Sequence, residues 1–246
     1  MLILLPPSET KRDGGEADSR LDLDSLSYPS LTRARKSAIA GLRAISKSVA
    51  TSTKALGLGP TQRFEIDRNR AIGTSPTMSA IERYTGVLYD AIDVASLDPS
   101  ARDFLGRHAV IHSALFGLVR ADDPVPAYRF SHDTRIPGTS LSKVWRDANA
   151  AVLDTEPDFV LDLRSESYVH LGPASDRAVF LRVVSDDGTG HRRALNHFNK
   201  HGKGELIRAL AGAGVDFETP AELVGWARSA GINLVPGING ELDLVV

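Results

Sequence analysis

The chain has 246 residues and no cysteine, which excludes disulfide bonds and thiolate chemistry. Its formal net charge of −2, with 42 % hydrophobic and 24 % charged residues, is typical of a globular domain and excludes a uniformly basic protein. The apolar start MLILLPP is too short for a signal peptide or a membrane span, so we expect one cytoplasmic domain over residues 1–246 with no membrane partner.

The elements predicted from hydrophobic periodicity alternate between strand and helix. In the first half they are a strand at Leu2–Leu5, a loop over 12–30, a basic amphipathic helix at Thr32–Leu56 with Thr32 as N-cap, a helical segment opened by Pro60 and Thr61, and a helix at Ser79–Ile92. In the second half they are strands at His108–Ser113, Asp158–Leu163 and Ala178–Ser185, helices at Asn196–Ala213 and Glu222–Ala230, and a hairpin of Ile232–Val235 with Glu241–Val246. This alternation predicts an α/β domain whose central sheet is flanked by helices, and the terminal hairpin makes that sheet mixed.

Two glycines lie one residue apart in the stretch KALGLGPTQRF, between two predicted helices. The pattern Leu56-Gly57-Leu58-Gly59 is typical of a helix-hairpin-helix, in which glycine lets the backbone approach a phosphate. Free N–H groups at the bend and the start of a helix near Thr61 would then bind an anion. The alternative is an ordinary helix C-cap at Gly57 followed by an ordinary turn.

Positive charge is concentrated around this bend. Residues 33–70 hold nine lysines and arginines against two carboxylates, and residues 191–208 hold five against one. Because phosphate contacts supply most of the affinity for nucleic acid, we expect residues 32–72 to bind DNA independently of its sequence. The predicted DNA-binding residues are Arg43, Lys47, Lys54, Gly57, Leu58, Gly59, Thr61 and Arg63. A solvated helix face is the alternative explanation of the charge.

A second group of polar residues follows the predicted strands. In an open α/β sheet, ligands bind at the carboxyl ends of the strands, so these residues could meet in one pocket. The catalytic candidates are Ser113, Asp123, Tyr128, Arg129, Arg164 and Lys200, with Asp123 as the acid or base. The residues that could hold an anion are Ser8, Lys11, Arg120, Ser165, Tyr168, Lys203 and Arg208. Such a pocket suits a nucleotide-like molecule, unless its arginines form structural ion pairs.

No metal site or resident cofactor is predicted. The carboxylates and histidines show no ligand spacing, apart from His197 and His201, which lie four residues apart. Phe198 stands where a zinc protease helix carries its glutamate, so two surface histidines explain that pair as well.

Several blocks resemble, in order, those of the YaaA family of peroxide-stress proteins. They are LILLPPSETK, RYTGVLYDAI, SALFGLVRADDPVPAYRF, LRSESYVHL, LNHFNKHGKGELIRAL and NGELDLVV. The resemblance spans nearly the whole chain and implies an α/β fold peculiar to the family, with a helix-hairpin-helix that contacts duplex or distorted DNA. It also implies an intracellular protein that limits damage from hydrogen peroxide and free iron, without a settled enzymatic reaction.

Two functional hypotheses follow from the residues and the resemblance. The first is a stress protein that binds DNA through residues 32–72 and helps to limit iron-linked oxidative damage. The second is an enzyme that acts on a nucleotide or nucleobase in the polar pocket. Convergence of the candidate side chains in a cleft would favour the enzyme, and their dispersal as surface ion pairs would remove it.

Overall fold

The computed structural model of the protein describes residues 1–156, 159–186, 192–194 and 199–246. Its strands are β1 Leu2–Leu5, β2 Thr77–Ser79, β3 Ala109–Ser113, β4 Gly117–Arg120, β5 Pro124–Pro126, β6 Val160–Asp162, β7 Ala178–Asp186, β8 Arg192–Ala194, β9 Leu234–Pro236 and β10 Leu242–Val245. Its helices are α1 Thr32–Ser46, α2 Val49–Leu56, α3 Phe64–Arg70, α4 Ala80–Arg83, α5 Val87–Ile92, α6 Pro99–His108, α7 Leu141–Leu153, α8 Glu166–His170, α9 Asn199–Ala213 and α10 Pro220–Ser229.

The main sheet has the strand order β4-β3-β1-β6-β7-β10-β9, and β8 pairs with β7. Neighbouring strands from β3 to β10 are parallel, whereas β4, β8 and β9 pair antiparallel with their neighbours. The predicted α/β class and the mixed sheet are therefore confirmed. Because the inner strands share one direction, their carboxyl ends lie along the same edge.

Strand β1 lies in the middle of this sheet and all four of its side chains are buried. Leu4 pairs with Val110 of β3 on one side and with Asp162 of β6 on the other. A continuous apolar run is what a strand covered on both faces requires. Helices pack on the sheet around one continuous hydrophobic core, and β2 and β5 form a separate antiparallel pair.

The helix predicted at Thr32–Leu56 is two helices. It breaks after α1, where the Ser48 hydroxyl accepts a hydrogen bond from the Thr51 N–H and caps α2. Thr32 is the first residue of α1 instead of its N-cap, since Leu31 holds the cap position and makes no side-chain cap bond. A serine inside a periodic pattern therefore started a new helix, as its capping preference allows.

Three other expectations differ from the structure. The helix predicted over 79–92 is divided into α4 and α5, because Gly86 has a φ of 100° before α5 begins. Residues 117–120, which follow the strand predicted at His108–Ser113 and belong to no predicted element, form β4. Helix α6 was not predicted, although Asp98 followed by Pro99 is a start signal and Asp98 does cap the helix.

His108 ends α6, so β3 begins one residue later than predicted. The predicted starts of a strand at Asp158 and of a helix at Asn196 lie outside the described residues. In the part of the chain that the structure describes, no helix is both long and apolar enough to cross a bilayer.

Candidate functional site

The glycine bend is a helix C-cap. Gly57 ends α2 in the left-handed conformation, with φ 62° and ψ 36°. The N–H groups of Gly57 and Leu58 both donate to the Thr53 carbonyl, and the Gly59 N–H donates to Oε1 of Gln62 at 2.9 Å. All three predicted amide donors are thus already bonded within the chain, so the anion site of free N–H groups is not present at these positions.

The helix after the bend also begins later than predicted. Thr61 lies in a 3₁₀ turn, Pro60–Gln62, and α3 starts at Phe64 with Arg63 in the cap position. Thr61 and Arg63 are nevertheless exposed. The bend itself stays at the surface, except that the Leu58 side chain is 7 % exposed and packs in the core. The structure therefore matches the C-cap and turn, the alternative to a phosphate cradle.

Six cations on α1, α2 and the bend are exposed. None of them forms an ion pair with another described residue, and they define what we call the basic face: Arg33, Lys36, Arg43, Lys47, Lys54 and Arg63. At 100° per residue, the four on and just after α1 fall within about 80° of one helix side. The predicted DNA-binding lysines and arginines all belong to this face.

The other basic residues of this region have structural partners. Arg35 is fully buried and donates to the carbonyls of Phe116 at 2.9 Å and Leu118 at 2.8 Å, which fastens α1 to β4. Arg68 pairs with Glu65 at 2.9 Å, while Arg70 donates to the Ser46 carbonyl at the end of α1. Because these residues are occupied, the charge available to a ligand is smaller than the composition suggests.

A cleft of about 770 Å³ opens at the carboxyl ends of β1 and β6, beside the middle of the longer strand β7. Segments from separate parts of the chain meet there, namely the turn after β1, the start of α5, the loop after β6 with α8, and the first two turns of α9. The predicted pocket residues that line this cleft are Ser8, Arg164, Ser165, Tyr168, Lys200 and Lys203. The parallel strand ends thus bring together residues that are far apart in sequence.

Arg164 makes a structural ion pair within this site. Its guanidinium is fully buried and donates to both carboxylate oxygens of Asp162, at 2.9 and 2.7 Å. Nη1 donates to the Gly172 carbonyl at 2.8 Å and faces Nδ1 of His112 at 2.9 Å. Burial, reinforced by Arg164, holds the pKa of His112 well below its usual value. Neutral His112 therefore accepts the hydrogen bond through Nδ1. Arg164 thus connects β6, β3 and the Gly172 carbonyl and stabilises the sheet beneath the cleft.

Three predicted residues form a hydroxyl and cation layer behind the cleft. The Tyr128 hydroxyl lies 2.6 Å from Oγ of Ser113 and 2.6 Å from the Tyr84 hydroxyl. Nζ of Lys11 lies 4.1 Å from the Tyr128 ring centre and donates to the Ser8 carbonyl at 2.9 Å. All four of these linked side chains are buried, so they support the cleft from within.

Two further cations lie closer to the cleft. Arg129 is 8 % exposed and pairs with Glu9, which lines the cleft, at 2.5 Å. Lys203 lines the cleft, is 5 % exposed, and donates from Nζ to the Leu163 carbonyl at 3.0 Å. Burial lowers the pKa of Lys203 to about 8, although the nearby Asp162 carboxylate opposes the shift.

The remaining candidates lie away from the cleft. The Asp123 carboxylate accepts hydrogen bonds from the N–H of Ser27 at 3.1 Å and of Arg120 at 3.0 Å. Because β4 runs antiparallel to β3 and pairs Arg120 with Val110, it returns the chain to the opposite edge of the sheet. Asp123 is therefore not placed to act as acid or base in the cleft. Arg208 donates to the last carbonyls of α5 instead.

Sequence reasoning missed several residues that line the cleft. They are Tyr89, Phe130, His132, Phe180 and Arg182. Phe180 and Arg182 lie inside a predicted strand, where alternation puts every second side chain on the same face. That alternation was the available signal, but the strand's position in the sheet is not visible in the sequence.

In the described ranges, no group of three or more histidines and carboxylates is arranged to hold a metal ion. His201 faces Glu205, one helical turn away, at 3.3 Å. His197 lies outside the described residues.

Comparisons with known proteins give one consistent result. A family model described as "Peroxide stress protein YaaA" matches residues 1–233. The chain is 43 % identical to a UPF0246 protein of Corynebacterium glutamicum over the full length of both chains. It is 38 % identical to a UPF0246 protein of Streptomyces coelicolor, covering 94 % of this chain and 90 % of the relative. An uncharacterized protein of Campylobacter jejuni is 26 % identical over 86 % of this chain and 85 % of its own length.

Proposed function

Since the chain belongs to the YaaA family of peroxide-stress proteins, we propose that it serves the peroxide response by binding DNA through the basic face. Contact is made with the phosphate backbone, independently of base sequence. By covering DNA in this way, the protein helps to limit iron-linked oxidative damage.

The observation that carries this proposal is the set of exposed cations without an ion pair in the described chain. An unpaired, hydrated cation can neutralise a phosphate and release a counterion without first breaking an internal bond. Three of these cations lie on one side of α1 and Lys47 follows at its C-cap in the same direction, and the buried Arg35 fixes that helix to the sheet. The basic face is thus a rigid row of charge, which suits a polyanion.

The side chains, and not the glycine amides, supply the affinity in this proposal. The amides of the bend are already bonded to Thr53 and Gln62. Lysine and arginine contacts to phosphate carry no sequence information, so binding through such contacts is independent of base sequence.

The test is fluorescence anisotropy with a labelled duplex, measured from about 50 to about 300 mM salt. In Arg43→Gln/Lys47→Gln, we expect weaker binding and a shallower slope of log affinity against log salt. The slope should fall by about 0.9 for each phosphate that the variant no longer neutralises. The matched control is Lys143→Gln/Arg146→Gln, which removes two exposed charges from α7.

The control should bind as the unchanged protein does. Gly59→Ala should also leave binding unchanged, because its φ of −74° suits any residue and its amide is not offered to the ligand. If the α1 double variant kept the full affinity and salt slope, or if the unchanged protein bound no duplex, the proposal would be wrong.

A further inference from the structure

We propose that the cleft binds a mononucleotide, a nucleoside 5′-monophosphate, with its phosphate at Lys203 and Lys200 and its base among the aromatic side chains. This site shares no residue with the basic face, so it goes beyond the proposed binding of DNA.

The size of the cleft fits such a ligand. Its volume of about 770 Å³ falls in the range of pockets that enclose a small organic molecule. Among the described residues, two tyrosines and two phenylalanines line it: Tyr89, Phe130, Tyr168 and Phe180. Tyr89 is held by a hydrogen bond from its hydroxyl to the Pro6 carbonyl at 2.7 Å. Phe180 is half-buried and presents ring surface on which a planar base can stack, whereas Tyr89, Phe130 and Tyr168 are buried and form the apolar wall.

The charges of the cleft select an anion. Each of the two described carboxylates that line the cleft faces an arginine: Glu9 pairs with Arg129, and Glu166 lies 3.4 Å from Arg182, which also pairs with Glu241. Among the described residues, neither Lys200 nor Lys203 has an ion pair. Cations therefore outnumber carboxylates among these described side chains, and two of the cations, Lys200 and Lys203, have no counterion there, which attracts a negatively charged group.

The buried ammonium group of Lys203 gives the strongest reason to place the phosphate beside this residue. An ammonium group has three donors, and among the described residues the Leu163 carbonyl is its one hydrogen-bond acceptor. The nearby Asp162 is held by both arms of Arg164. A charge that is 5 % exposed and incompletely bonded is costly to bury, and a bound phosphate would supply the missing acceptors.

Helix α9 puts Lys200 beside Lys203. The two residues are three apart, so they lie on the same side of the helix, and both line the cleft. They belong to the first two turns of this 15-residue helix, where the helix dipole adds to the attraction for an anion. Lys200 is exposed, so its side chain can reorient and contact a phosphate that is bound at Lys203.

The experiment is isothermal titration calorimetry with AMP, GMP, CMP and UMP, and with the matching nucleosides and inorganic phosphate as separate probes. At least one monophosphate should bind with a dissociation constant below about 1 mM. Lys203→Met should weaken that binding at least about tenfold, because it removes a charge-assisted hydrogen bond. Phe180→Leu, which keeps the charge, should weaken it about three- to tenfold.

Lys143→Met, an exposed lysine of α7, is the matched control and should bind as the unchanged protein does. Lys203→Met should also keep the duplex affinity, which separates this proposal from the one on DNA. The absence of binding by every monophosphate, equal binding of nucleoside or phosphate alone, or unchanged binding by a folded Lys203→Met and Phe180→Leu would each overturn it.

Discussion

Lys11 is an ammonium group enclosed by the protein. It donates to the carbonyls of Ser8 and Glu9, at 2.9 and 3.2 Å, and lies over the Tyr128 ring. These contacts stabilise the turn after β1, which forms one wall of the cleft. The sequence predicted Lys11 as a residue that holds an anion. In the structure its ammonium group donates to backbone carbonyls instead.

The charge on Lys11 makes folding depend on pH. Its pKa falls to about 7 because burial disfavours the ammonium and Arg129 repels it, although Glu65 and Glu9 oppose the shift and Arg68 adds to it. Between this value and 10.5, the value without burial, the unfolded chain binds the proton that the folded chain has released. The free energy of unfolding therefore rises with pH in that window.

We expect Lys11 to contribute about 2 kcal/mol of added stability between pH 7 and pH 9. In Lys11→Met this part of the rise should be missing, whatever the absolute stability of the variant. The measurement is urea unfolding at several pH values, and Lys143→Met should keep the rise because its amine is exposed. The same pH dependence in both variants would contradict the burial of a weakly basic Lys11.

Among the helices, the cleft depends on how closely α9 approaches α5. A Cβ atom added at Gly204 of α9 would overlap the Leu88 carbonyl oxygen and lie 2.7 Å from Cβ of Ala91. Glycine at this position therefore lets the two helices touch along their backbones. Since both helices line the cleft, their spacing also sets its width.

Gly204→Ala should reduce the free energy of unfolding by about 1–3 kcal/mol, because the two helices must move apart. The matched control is Gly212→Ala on the same helix, where an added Cβ meets nothing within 4 Å. That change should be neutral or stabilise by up to about 1 kcal/mol through helix propensity. Urea unfolding of both variants tests the pair, and equal effects would show that α5 and α9 are not in backbone contact.

Across the complete fold, the two tryptophans report on opposite edges of the main sheet. Trp145 of α7 is fully buried and donates to the Ala114 carbonyl at 2.7 Å, beside β3 and β4. Trp226 of α10 packs on Phe217 near β9, with ring centres 5.6 Å apart. A single core under both edges predicts that they unfold together.

Trp226→Phe leaves Trp145 as the one remaining tryptophan. We expect its urea midpoint from fluorescence to match the midpoint from far-ultraviolet circular dichroism, and both methods to agree for the unchanged protein. Coincident transitions are the signature of one cooperative unit. Two separated transitions would contradict the prediction that residues 1–246 form a single domain.

Local patterns were enough to predict much of this protein. The apolar run of β1, the period of α1 and the terminal hairpin of β9 and β10 depend on neighbours in sequence, and the structure shows each of them. The order of the family blocks was also readable, and the comparisons confirm the family. The cluster of positive charge around the glycine bend was visible from the sequence without knowledge of the fold.

The residues alone were sufficient for the α/β class, the family, the concentration of positive charge on residues 33–70, and the group of polar residues near strand ends. Which of those polar residues meet depends on the fold. Strand β4 returns the chain and places Asp123 at the far edge of the sheet. Asp162 accepts from two nitrogens of Arg164, and Lys203 lines the cleft almost completely buried. Burial and pairing are properties of neighbours in space, and no spacing along the chain records them.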